Sequence, residues 1–80
     1  MTEVWIETPD AAAASLLRGR LGESAELVAE PGRCELRVAE VHLAELPTVL
    51  AHVEGWMADE GIASIAVRLD ERSYVLVRGI

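Results

Sequence analysis

The chain has 80 residues, fourteen acidic against seven basic, and a net charge of −7. Every base is arginine; lysine, asparagine, glutamine and phenylalanine are absent. That composition excludes a phosphate-loop lysine and Schiff-base chemistry, leaves no side-chain amide for an oxyanion hole, and sets the surface against nucleic acid and anionic membranes.

One domain is expected over residues 1–80, near the lower size limit for a self-sufficient core. The single cysteine, Cys34, rules out an internal disulfide, so dense packing or self-association must supply stability. A lone thiol, no apolar run long enough to span a bilayer, and an N-terminus without a signal-peptide pattern predict a cytoplasmic protein. The missing residue types, whose codons are mostly AT-rich, point to a GC-rich bacterial genome.

From Thr2 to Thr8 the residues alternate, with Val4 and Ile6 on one side and Glu3, Trp5 and Glu7 on the other, which predicts a half-buried strand. Thr8-Pro9-Asp10 reads as a helix start, with Thr8 as the cap and Pro9 at the first helical position. The helix runs to about Leu21, stops at Gly22, and turns Ala13, Ala14, Leu17 and Leu21 inward. Arg18 and Arg20 in its last turn suit the negative end of the dipole.

Ser24 to Glu30 alternates again, and Glu30-Pro31-Gly32-Arg33 has proline and glycine where a type II turn needs them. A strand from Cys34 to about Val41 completes a hairpin, with Cys34, Leu36 and Val38 inward. Pro47 must lie in the first turn of the next helix, which therefore starts near Leu43 or Leu46 and ends at Gly61. Leu46, Leu50, Val53 and Met57 form its buried stripe, flanked by Val49 and Trp56. Ile62 to Leu69 and Arg72 to Arg78 are two further strands around Asp70-Glu71.

The order β-α-β-β-α-β-β predicts an α+β domain: a two-layer ferredoxin-like βαββαβ plait, its antiparallel sheet carrying two helices on one face, with an added C-terminal edge strand. A shorter Pro31-Gly32 hairpin would instead give β-α-β-α-β-β, the order of small sulfur-transfer proteins. Those open their first helix with Cys-Pro, whereas this chain has Thr8-Pro9-Asp10, and Cys34 precedes Glu35.

No catalytic residue, metal site or cofactor is predicted. Cys34 has the inward parity of a core residue, and His42 with Glu45, at a spacing that could clasp a metal on a helix, falls in the connection before Pro47. His52, Trp56 and Asp59 suggest a small cluster on the outer side of the second helix. The stronger expectation is an interface on the open sheet face, where outward parity places Trp5, Val28, Arg37, Ala66, Arg68, Tyr74 and Leu76. The function predicted is therefore a small, acidic, non-catalytic interaction module, a homodimer through that face, with a basic protein as the other partner class. The alternative is a small enzyme or ligand-binding protein of the dimeric plait type, its pocket lying between sheet and helices.

Overall fold

The computed structural model describes residues 2–22 and 25–77. Its elements are β1 (Thr2–Thr8), α1 (Ala11–Leu21), β2 (Ala25–Glu30), β3 (Arg33–Val41), α2 (Leu46–Glu60), β4 (Ser64–Leu69) and β5 (Arg72–Val77). The expected strand ends at Ser24 and Arg78 lie outside the described residues. The five strands form one antiparallel sheet in the order 2-3-1-4-5, which is not the four-stranded ferredoxin order.

Alternation decides the layers. Val4 and Ile6 of β1, Leu36 and Val38 of β3 and Val67 of β4 are buried on one sheet face. Ala14 and Leu17 of α1 and Val53, Trp56 and Met57 of α2 close over that face to form the core. The β2–β3 hairpin pairs Ala25–Glu30 with Arg33–Val38, so the alternative with a shortened hairpin is overturned. Gly32 takes φ 73°, the left-handed torsion that follows Pro31 in a type II turn.

Two local expectations are corrected. Thr8 does not cap α1: it is still paired with Cys34, and its inward parity buries the hydroxyl, which donates to the Cys34 carbonyl at 2.8 Å. Asp10 is the cap, its carboxylate accepting from the Ala13 N–H at 2.7 Å, and Pro9 stays outside the helix. In β3, strict alternation breaks after Val38. Thr2 pairs with Val41 and Val4 with Val38, so Ala39 and Glu40 together oppose Glu3. This is a β-bulge, made by Glu40 at φ 57°, and it brings Val41 into the core alongside Val38.

The β4–β5 turn is held from β1. The Asp70 N–H donates to the Glu3 carbonyl at 3.0 Å, and the Asp70 carboxylate accepts from the Glu3 N–H at 3.1 Å. Among the described residues no helix is long and apolar enough to cross a membrane.

Candidate functional site

On the open face, β1 is the central strand, flanked by β3 and β4, and Trp5 pairs with Arg37 on one side and Arg68 on the other. Both guanidinium groups lie over its indole, at 5.9 and 5.0 Å from the ring centroid. Arg37 also bridges Glu3 at 2.9 Å and Glu26 at 3.2 Å, and the indole N–H donates to Glu3. The Arg37 pair, then the Trp5 hydrogen bond, hold the Glu3 carboxyl below its ordinary value. Val28 shares this face, opposite Glu35. Five of the predicted interface residues, Trp5, Val28, Arg37, Ala66 and Arg68, therefore share the open face, but the aromatic at their centre is already engaged on both sides.

Tyr74 and Leu76 are not on this face. The turn at Asp70-Glu71 has two residues, with Leu69 opposite Arg72, so Tyr74 stands opposite Val67 and Leu76 opposite Ile65. Directly paired residues share a face, and Val67 belongs to the core, so Tyr74 and Leu76 lie on the helix side. Counting outward from that turn would have shown this in the sequence. The residues of β5 that do face the open side are Ser73, Val75 and Val77, opposite Arg68, Ala66 and Ser64. The two valines were missed by the sequence reading.

The two edges of the sheet differ sharply. At β2, the Ala25 carbonyl accepts from the Arg18 side chain at 3.1 Å and the Ala25 N–H donates to the Gly22 carbonyl at 3.2 Å. Glu26, Glu30 and the following Pro31 further blunt that edge. At β5, among the described residues, no strand covers the outer side. From Ser73 to Val77 the strand has no charge and no proline. It is apolar on both faces: Tyr74 is 47% exposed, Val75 68% and Val77 65%, with Leu76 half-buried.

The cluster expected on α2 is overturned. Trp56 is fully buried, because it sits between Val53 and Met57 within the stripe, and its indole N–H donates to the Ala13 carbonyl of α1 at 2.8 Å. His52 is exposed, and Asp59 pairs instead with Arg20 across the two helices. His42 and Glu45 lie in the turn before α2, where the Glu45 N–H donates to the His42 carbonyl at 2.9 Å. Cys34 is buried, as its parity implied. Among the described residues every buried side-chain nitrogen or oxygen has a hydrogen-bond partner. A hollow of about 330 Å³ opens where the end of α1, the β3 bulge and the start of α2 meet. No protein-family model, curated protein or solved structure matches the chain.

Proposed function

We propose that this chain is a homotypic interaction module in which two copies join through β5, antiparallel about a two-fold axis, into one continuous sheet. The observation behind this reading is the contrast between the edges: β2 is capped and charged, whereas β5 from Ser73 to Val77 carries no charge, has apolar side chains on both faces and, among the described residues, has no strand on its outer side. Antiparallel self-pairing is isologous, so one patch serves both partners and growth stops at the dimer. With its β2 edge guarded, a protomer has one edge to give.

Burial favours the same arrangement. Tyr74 and Leu76 of each copy would meet on the helix side, Val75 and Val77 on the other, so the junction is covered from both faces. A standard interface takes about 800 Å² from each partner. That is about a sixth of the 5107 Å² that the described chain exposes. The self-association expected from the short chain is kept, but its surface moves from the open face to the edge, since Trp5 is held between Arg37 and Arg68.

We read the architecture as a ferredoxin-like plait extended by β5, which makes β5 the element added for contact. A buried, unpaired thiol suits a reducing compartment, and we place the protein in the cytoplasm. Amide hydrogen exchange at two protein concentrations tests the proposal. On concentration, the outward amides of β5 should slow while those of β2 stay unchanged; equal exchange of β5 at both concentrations, with mass unchanged, contradicts it.

A further inference from the structure

We infer, on the basis of pairing through β5, that this edge is keyed to a second copy in a single register. Val75 stands on the two-fold axis facing its own counterpart, and Ser73 of each copy lies opposite Val77 of the other.

The key is the direction of the backbone groups. The Asp70-Glu71 turn has two residues, so Leu69 and Arg72 on either side of it form a hydrogen-bonded pair. Alternation then makes Val67 with Tyr74, and Ile65 with Leu76, hydrogen-bonded pairs as well. The N–H and C=O groups of Arg72, Tyr74 and Leu76 are therefore spent on β4. Those of Ser73, Val75 and Val77 point the other way, to the side where, among the described residues, no strand lies. The same parity holds on β4, where Asp70, one residue past Leu69, turns its N–H to the Glu3 carbonyl of β1 at 3.0 Å.

A copy can thus exchange bonds only among Ser73, Val75 and Val77, and a two-fold axis leaves few ways to do so. With Val75 opposite Val75, Ser73 meets Val77 at both ends, giving three hydrogen-bonded pairs along the described strand. Sliding one copy by two residues sets Tyr74 opposite Tyr74 or Leu76 opposite Leu76, and keeps only two of those pairs within Arg72–Val77. The first slide also brings Arg72 opposite Leu76. The register on Val75 lays the uncharged segment Ser73–Val77 wholly on itself and leaves Arg72 outside. It also sets Tyr74 opposite Leu76 of the copy, twice, in non-hydrogen-bonded pairs, whose Cα atoms approach to about 4.5 Å. An axis normal to the sheet puts the helices of both copies on one side and both Trp5 faces on the other.

Single cysteines along β5, in a Cys34→Ala background, read the register. Molar mass by light scattering is measured on each reduced variant, and disulfide formation is then followed with oxidised glutathione. Cα atoms of a hydrogen-bonded pair lie about 5.5 Å apart, within disulfide reach, whereas residues offset by two lie beyond about 7 Å. Val75→Cys should therefore link to itself at least about tenfold faster than Tyr74→Cys or Leu76→Cys. Ser73→Cys mixed with Val77→Cys should give a linked heterodimer, while each alone links slowly. A dimer by mass that links fastest through Tyr74→Cys or Leu76→Cys overturns this register while leaving pairing through β5 in place. A dimer by mass that links at none of these positions, or a monomer throughout, overturns both.

Discussion

Trp5 illustrates how a large aromatic on an open sheet face can be withdrawn from contact. Two cross-strand arginines cover it, and Glu3 ties its N–H and Arg37 together. Glu3 is the titrating member. Its folded pKa lies below the ordinary value of 4.5, so the ion pair contributes fully above that value and is lost as pH falls through the lower folded pKa. Carbon-detected NMR titration should therefore show Glu3 protonating below the ordinary 4.5, and Glu3→Gln should remove part of the stability lost in acid below that value. At Trp56 the sequence misled, because the i, i+4 spacing from His52 suggested an outward stack. The indole is instead a core group with a single buried hydrogen bond to Ala13. Trp56→Phe keeps most of the apolar area but removes the indole hydrogen bond to the Ala13 carbonyl and leaves a small void, and should cost about 1–2 kcal/mol in denaturant unfolding. Glu40→Gly trades left-handed strain against the greater freedom of glycine in the unfolded chain. It should melt between equal to wild type and about 5 °C higher.

Element by element, alternation and helix punctuation carried most of the fold. Val4 and Ile6, Leu36 and Val38, and the Gly22 and Gly61 stops stand where the pattern put them, because burial on one face imposes the period and glycine accepts the terminal torsions. Two departures in the strands come from parity that changes along the chain. One extra residue in the β3 bulge moved Val41 inward, and parity carried across the Asp70-Glu71 turn put Tyr74 and Leu76 on the helix side. A slip of one residue exchanges the faces of a whole strand. That Trp5, Val28, Arg37, Ala66 and Arg68 share the open face was legible from parity alone. The uncovered edge was not, because which strand lies outermost depends on the order of pairing rather than on any one segment. At the α1 start, Thr8 and Asp10 both have capping chemistry, and pairing of Thr8 with Cys34 decides between them. Asp10→Ala should cost about 1 kcal/mol through the lost cap. Thr8→Val removes a hydroxyl that donates to Cys34 rather than to the helix, so it should leave α1 intact in hydrogen exchange.

For the whole molecule, size and charge pull in opposite directions. A chain of 80 residues gains from burying β5 against a copy of itself, while two copies at −7 repel one another. Screening should relieve that repulsion, so dimer affinity should rise between low salt and about 0.5 M sodium chloride, the reverse of an interface held by opposite charges. The edge strand itself contains no acid from Arg72 to Val77, so the repulsion acts at a distance and does not oppose pairing locally. The most direct test is molar mass by light scattering on wild type and Val75→Lys. Val75 is 68% exposed on the open side and lies at the middle of the paired segment, so lysine there leaves the monomer intact but sets the ammonium of one copy beside that of the other across the paired edge. Wild type should run as a dimer that dissociates on dilution, and Val75→Lys as a folded monomer of 8.7 kDa. A wild type that stays monomeric at high concentration, or a Val75→Lys variant that dimerises as tightly as wild type, would contradict pairing through β5.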